Sequence, residues 1–204
     1  MSYPINCDTG CFFEGCITDS ACEPSAPGGW TDLFVLNKCH LAGKTYEALG
    51  NDTTAIVSSI ALVPGTFVYR IKFNDATGMQ FDTVASDSSG SYIHTNTVVL
   101  DSSNWSPLAL SRMRSAMGAK LTVIARGNNG RFFIMGLGTG LRATEINQSH
   151  GRLGTDPNIW TLTMQSIDSI GARPFNVLNS GDIELDDPAT MAFLESLVNC
   201  TDYV

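Results

Sequence analysis

KLTVIARGNNGRFFIMG, at residues 120–136, is the stretch that decides the fold class of this chain of 204 residues. Two runs rich in β-branched and aromatic residues, 120–126 and 131–136, flank the four residues Gly127-Asn128-Asn129-Gly130. Asn and Gly readily adopt the positive φ angles that tight hairpin turns need, so this pattern predicts two antiparallel strands joined by a turn. We therefore expect a chain that is mainly β.

Further short runs on both sides of this hairpin repeat the strand pattern. They lie at 32–37, 55–62, 66–73, 79–85, 91–100, 139–145 and 159–167. In the run 66–73, aromatic or aliphatic residues alternate with a valine and two basic residues, which is typical of a half-buried strand. The turn-forming residues 74–78 then predict a hairpin between this run and 79–85.

Two segments carry helix signals. The first, 107–117, begins with Pro107, which suits a first helical turn, and ends before Gly118. The second, 188–199, also opens on a proline, and one of its faces is apolar. That face is formed by Met191, Leu194, Leu197 and Val198. Docking on a neighbouring subunit and packing on its own domain both explain this face.

The acidic excess lies at the two ends of the chain. The 12 Lys+Arg stand against 20 Asp+Glu, which gives a formal charge of −8. Residues 1–30 hold four carboxylates and residues 181–204 hold six, and neither segment has a Lys or Arg. This balance argues against a domain that grips nucleic acid through its phosphates. Acidic ends on a mildly basic body favour contacts between copies, although solvated tails explain the same pattern.

Composition divides the chain into three parts. Residues 1–30 are rich in Cys, Gly, Pro and Asp without periodicity, which predicts an extended arm. The strand runs make 31–180 the expected core, a β-sandwich or barrel, and 181–204 an acidic C-terminal arm with a short helix. No stretch of 18 apolar residues and no basic-then-apolar leader is present, so we expect no membrane span and assembly in a cytoplasm.

The chain offers few residues suited to catalysis or metal binding. Five of its six cysteines lie in the first 39 residues, but their spacing does not form paired zinc knuckles, which favours reduced thiols over zinc. Three histidines and the lack of the usual hydrolase or phosphate-loop motifs argue against an enzyme. The glycine-rich run 136–140 lacks the spacing of a dinucleotide loop and predicts a turn between strands. We predict no catalytic, cofactor-binding or metal site.

These patterns, in this order, resemble a family of virion structural proteins from tailed phages and prophages of Bacteroidetes hosts. The resemblance covers residues 28–170 and rests on the stretches 28–30, 33–37, 67–73, 110–113, 121–125, 129–136, 140–144 and 161–164. Members of the family resemble tail-tube proteins, whose sandwich or barrel subunits form hexameric rings stacked around a channel that carries the genome. The resemblance implies no cofactor and no catalytic residues.

The residues and the resemblance lead to one expectation about function. We expect a virion structural protein that is not an enzyme and self-assembles into the stacked rings of a phage tail tube, with DNA passing through without sequence recognition. Its partners would be its own copies and other virion proteins. The alternatives are a neck or head-to-tail connector ring, a capsid-decorating protein, and a soluble metal-stabilised binding module or hydrolase. The residues expected at subunit interfaces are Phe12, Phe13, Trp30, Met191, Phe193, Leu194 and Leu197.

Overall fold

The described part of the chain is mainly β, as the sequence predicts. The computed structural model describes residues 30–49, 52–72, 79–85, 92–102, 107–149, 159–177 and 187–198. In chain order its elements are β1 (Trp30–Asn37), a 3-10 helix (Lys38–His40), β2 (Leu41–Leu49), β3 (Asp52–Leu62), β4 (Tyr69–Lys72), β5 (Met79–Ala85), β6 (Tyr92–Ser102), α1 (Pro107–Gly118), β7 (Leu121–Gly127), β8 (Phe132–Met135), β9 (Arg142–Ser149), β10 (Ile159–Asp168), β11 (Arg173–Pro174) and α2 (Asp187–Leu197).

The strands form two sheets and a separate hairpin. A five-stranded sheet has the order β11-β8-β7-β1-β4, a four-stranded sheet has the order β5-β6-β10-β9, and β2 pairs with β3. Neighbouring strands are antiparallel in all three. Within the described residues none of these sheets closes into a barrel, so the sandwich is the architecture that forms.

Two inner strands of the five-stranded sheet, β1 and β7, bury both of their faces. Successive side chains of a strand point to opposite faces, yet the neighbours Leu33 and Phe34 on β1 are each 0% exposed. The same holds for Val123 and Ile124 on β7. Uninterrupted apolar runs of this kind are the mark of strands that are covered on both sides. The five-stranded sheet is therefore the middle layer of the molecule.

The first core lies between the two sheets. Leu33 and Val123 of the five-stranded sheet pack there against residues of the four-stranded sheet, among them Val98, Leu162 and Met164. Facing sheets that interdigitate apolar side chains in this way form a β-sandwich. Helix α1 lies against β9 and adds partly buried side chains to the margin of this core.

The second core covers the opposite face of the five-stranded sheet. Phe34 and Ile124 belong to it together with Val57 of the β2–β3 hairpin. Phe175, which follows β11, and Leu194 of α2 complete the buried set and are 1% and 0% exposed. The apolar face of α2 therefore packs on its own domain in the single chain, and the molecule has three layers.

Most predicted elements are confirmed, but β2 was not predicted. Helices α1 and α2 and strand β5 fall where the sequence places them, and the other predicted strands differ mainly at their ends. β2 carries no clean alternation of polar and apolar residues. Its pairing with β3 has register shifts at three places. A one-residue shift moves the following side chains to the other face, which breaks the alternation.

The predicted hairpin between 66–73 and 79–85 is wrong. β4 pairs with β1 in the five-stranded sheet, whereas β5 pairs with β6 in the four-stranded sheet. Residues such as those at 74–78 favour a change of chain direction, but local turn chemistry does not determine which strand becomes the partner. Burial near β4 also differs from an alternation that would bury the aromatic residues of 66–73. Val68 is 1% exposed, whereas the aromatic Tyr69 is 52% exposed.

Truncating the residue that joins the middle layer to the second core should be costly. We expect Phe34→Ala to lower the free energy of unfolding by about 3–5 kcal/mol, because it empties a fully buried ring site. Urea denaturation followed by circular dichroism measures the change. Ile167→Ala is the matched control, since that side chain is 63% exposed, and it should stay within about 0.5 kcal/mol of the parent. Equal losses in the two variants would contradict the layered packing.

Candidate assembly surfaces

Three of the residues predicted at subunit interfaces belong to the beginning of the chain. Phe12 and Phe13 lie outside the described residues. Trp30 opens β1 and is partly buried against the first core. Its ring meets that of Phe133 edge-on, with the centroids 6.0 Å apart. Part of Trp30 is therefore engaged within the subunit, and its contact with a neighbour stays a prediction.

The other predicted interface residues lie on α2. Leu194 is 0% exposed, and it has no surface in the single chain to offer to a neighbour. Met191, Phe193 and Leu197 are partly buried against the second core. Phe193 lies with its ring centroid 6.3 Å from that of Phe175. Any contact of these three with a neighbouring subunit stays a prediction and would use only their outer edges.

An ion-pair network attaches α2 to the five-stranded sheet. Arg70 of β4 places Nη2 2.8 Å from Oδ1 of Asp32, and its Nε donates to the same oxygen at 2.9 Å. Its Nη1 reaches Oε1 of Glu195 on α2 at 2.7 Å. The Asp32 side chain is 8% exposed and that of Glu195 is 51% exposed, so the inner pair is nearly desolvated and the outer pair is in water. One arginine thus links three elements.

A buried hydrogen-bonded pair fixes the start of α2. The hydroxyl of Thr190 donates to Oδ1 of Asn176 at 2.9 Å and accepts from the backbone N–H of Val177 at 3.0 Å. Thr190 and Asn176 are 1% and 2% exposed. Buried polar groups are costly unless they are paired, so this arrangement specifies where the helix sits. Nothing in the sequence signals it, because the two residues lie on either side of an acidic stretch.

Four basic side chains gather at one end of the sandwich, which we call the basic end. They are Lys38, Lys44, Lys120 and Arg142. Lys38 donates through Nζ to the carbonyl oxygen of Leu137 at 2.6 Å, and Nζ of Lys44 lies 3.5 Å from the same oxygen. The backbone N–H of Lys38 also donates to the carbonyl of Lys120 at 2.7 Å, which brings β1 and β7 together there. Two ammonium groups thus share one neutral acceptor.

The glycine-rich run at 136–140 shapes the basic end as the turn between β8 and β9. Gly136 has a φ of 73°, and a Cβ on it would lie 2.6 Å from the carbonyl oxygen of Leu121. A Cβ on Gly138 would meet the carboxylate of Asp168. That carboxylate accepts from the backbone N–H of Thr139 at 2.8 Å and of Ile170 at 3.2 Å. The prediction of a turn rather than a dinucleotide loop is confirmed.

A shallow depression of about 440 Å³ opens beside this turn. Its lining includes Lys120, Thr139, Arg142, Thr144, Gln165 and Ile167. The lining combines two cations with hydroxyl, amide and aliphatic side chains.

Burial lowers the pKa of Lys38 from its ordinary value of 10.5, and the neighbouring charge of Lys44 lowers it further. Asp168 acts in the opposite direction. Desolvation disfavours the ammonium form, and a second cation nearby adds to that cost. The basic end therefore holds like charges together at an energetic cost.

The outward side chains described on the two central strands of the four-stranded sheet carry no charge. On β6 and β10 the buried side chains alternate with outward ones, as the pleat requires. The outward side chains described there are Ile93, Thr95, Thr97, Val99, Thr161, Thr163, Gln165 and Ile167. The charged side chains described on this face, Arg142 and Glu145, lie on the edge strand β9.

The exposed large hydrophobic side chains fall mainly on two surfaces. Ile93 and Ile167, 43% and 63% exposed, lie on the outer face of the four-stranded sheet. Val63, Phe67 and Tyr69 lie around the connection from β3 to β4, at the free edge of the five-stranded sheet. Exposed apolar groups beside a sheet edge are typical of surfaces that other chains cover.

The described residues give no support to a metal-centred site. Cys39 is free and exposed, and the other five cysteines lie outside the described residues. Within the described ranges no group of three or more His, Cys, Asp or Glu side chains is arranged to hold a metal ion. Neither α1 nor α2, the helices of the described residues, has the length and apolar content needed to cross a membrane.

Comparison with protein-family models, with curated proteins and with solved structures finds no match to this chain.

Removing the arginine that links α2 to the sheet should cost far more than removing its exposed partner. We expect Arg70→Met to lower the free energy of unfolding by about 3 kcal/mol, because it leaves the buried carboxylate of Asp32 with the more distant Arg126, whose Nη1 lies 3.9 Å from Oδ2. Glu195→Gln should cost less than about 1 kcal/mol, because that pair is exposed and screened. Chemical denaturation measures both. The double variant Asp32→Asn with Arg70→Met should recover part of the loss, and no recovery would contradict the buried-charge explanation.

Removing the charge of Lys44 should raise the pKa of Lys38 towards 10.5. Because the folded-state pKa of Lys38 lies below its unfolded value, the unfolded chain binds more protons between the two values, and stability rises with pH across that interval. Lys44→Gln should therefore shrink this rise. Nuclear magnetic resonance titration of the Lys38 side chain, with Lys120→Gln as the control, measures the pKa. An unchanged pKa in Lys44→Gln would contradict the proximity of the two ammonium groups.

Proposed function

We propose that this chain is the structural subunit of a phage tail tube, with the outer face of the four-stranded sheet lining the channel. The observation that carries the proposal is the set of uncharged side chains described on the outer face of β6 and β10. Threonines, a glutamine and aliphatic residues occupy the outward positions within 93–99 and 161–167. Clustered lysines or arginines would bind phosphates and retard DNA. The side chains described on the two central strands offer no such contacts, and the arginine described on this face, Arg142, lies on the edge strand β9. The resemblance of residues 28–170 to tail-tube-like virion proteins supports the same role.

The direction of the strands supports closure of such sheets into a ring. The order β5-β6-β10-β9 has four strands of alternating direction, so its two edge strands, β5 and β9, run in opposite directions. When copies are related by rotation about an axis along the strands, β9 of one copy meets β5 of the next in the antiparallel sense. Within the described residues no strand covers the outer edge of either. Pairing them would remove two exposed edges, which are a liability in an open sheet.

The middle layer suits a subunit that must keep its shape under load. Both faces of the five-stranded sheet are covered, and α2 is attached through an ion-pair network and a buried hydrogen bond. The core of each subunit is already packed before subunits associate, so assembly does not have to spend free energy on ordering it. Assembly contacts then come from edges, outer faces and the two terminal segments.

The proposal predicts hollow tubes from the purified full-length chain. Negative-stain electron microscopy and light scattering across protein concentration should show rings and open-ended tubes that increase with concentration. Rings of fixed height without tubes would overturn the tail-tube role and favour a connector ring. A strict monomer at every concentration would overturn self-assembly. The whole chain is used because removal of residues 181–204 also removes Leu194 from the second core.

The face that lines the channel can be tested on the same tubes. Thr97→Lys with Thr163→Lys places cations at the centre of the uncharged face, so short duplex DNA should be retained inside and protected from nuclease. The control is Ser115→Lys with Met117→Lys on α1, two exposed positions away from this face, where bound DNA should be digested. Digestion of the DNA held by the Thr97 and Thr163 variant would overturn the channel-lining assignment.

A further inference from the structure

The two ends of the sandwich carry different chain segments, and the strand register shows which. β1 begins with Trp30 beside Gly127 and ends with Asn37 beside Leu121. Its eight residues span about 23 Å when extended. The isolated bridge between Leu121 and Leu141 sets the start of β9 at the same end as Asn37. Residues 1–29 therefore join the fold at the end opposite to the basic end.

The charges of the basic end are only partly balanced by the carboxylate of Asp168, which acts on Lys38. Lys38 and Lys44 share the carbonyl oxygen of Leu137, and the carboxylate of Asp168 is engaged by two backbone N–H groups. None of the ion pairs of the described residues includes a member of the basic end. Like charges held together are relieved by an incoming anion, so this surface favours a carboxylate-bearing partner.

The N-terminal segment 1–29 has the matching chemistry. It carries Asp8, Glu14, Asp19 and Glu23 and has no Lys or Arg. Carboxylates form charge-assisted hydrogen bonds with ammonium groups and bidentate pairs with guanidinium groups, and the basic end offers both through Lys120 and Arg142. Fully extended, 29 residues span at most about 105 Å. This is enough to reach a second copy beyond the 23 Å or so that β1 covers.

We infer that the acidic N-terminal segment 1–29 of one copy binds the basic end of the next copy. The two surfaces differ and lie at opposite ends of β1, so the contact is heterologous and can repeat from copy to copy. The inference rests on the proposed function and supplies its link between successive subunits. The carboxylates are expected at Lys120 and Arg142, which line the depression on the β9 side of the four-stranded sheet.

Mixed-isotope cross-linking tests the contact directly on the full chain. Equal amounts of ¹⁴N- and ¹⁵N-labelled protein are mixed and treated with a carbodiimide, which joins lysine amines to carboxylates. We expect cross-linked peptides of mixed isotope that connect lysines of the basic end with carboxylates of 1–29. Links of a single isotope only would show that each chain binds its own segment, and the absence of such links would equally overturn the inference. Soluble protein and sedimented assemblies are analysed separately, so the answer does not depend on tube formation.

Charge reversal tests the same contact through assembly. Lys120→Glu with Arg142→Glu should raise the protein concentration needed for assembly at least about tenfold, because carboxylates then face carboxylates. Glu14→Lys with Asp19→Lys should do the same, and a mixture of the two reversed chains should assemble again. The matched control, Arg114→Glu with Arg131→Glu, changes exposed arginines elsewhere by the same charge and should assemble like the parent.

The failures of the two proposals are distinguishable. Tubes formed by Lys120→Glu with Arg142→Glu at the parent concentration would overturn this inference and leave the tail-tube role standing. Absence of tubes from the parent chain would overturn the tail-tube role, while the mixed-isotope links would still decide the contact. Binding of labelled duplex DNA that is lost in the Lys120 and Arg142 variant, without links between copies, would show that the basic end binds nucleic acid and would overturn the inference.

Discussion

β1 and β7 must bury both of their faces, and the other layers of the molecule follow from that requirement. Leu33 and Phe34 are neighbours in sequence and are both fully buried, on opposite sides of one sheet. A single covering sheet would leave one of these faces in water, so the chain needs a second cover, which the β2–β3 hairpin and α2 provide. The two outer layers therefore differ: one is the four-stranded sheet, and the other is the β2–β3 hairpin with α2.

The helices and most strands could be predicted because the signals for them lie within short stretches of sequence. The GNNG turn, the proline and glycine at the ends of α1 and the apolar stripe of α2 act within a few residues, and each of those elements forms. Pairing is decided over long distances by burial, so the hairpin expected between β4 and β5 gave way to partners in two different sheets. β2 went unseen because repeated bulges break its period.

The candidate surfaces were largely hidden from the sequence, and the reason is geometric. The sequence separates Lys38, Lys120 and Arg142 by tens of residues. They come together because the last residue of β1 lies beside the first residue of β7, and a bridge joins that residue to the one just before β9. Asp32 and Arg70 likewise form their ion pair through strand register. The apolar stripe of α2 was visible, but a stripe does not reveal which surface covers it, and in the single chain its own domain does.

In the described residues the four-stranded sheet has an even number of strands, and this has an evolutionary consequence. Loops between these strands can lengthen or shorten without changing the direction in which the two edges run. Gain or loss of one strand would make the edges run the same way, and copies related by rotation would then meet as parallel neighbours with a different hydrogen-bond pattern. Descendants that keep edge-to-edge contact between copies are therefore expected to vary in loop length and to conserve strand parity, so that strands are gained or lost in pairs.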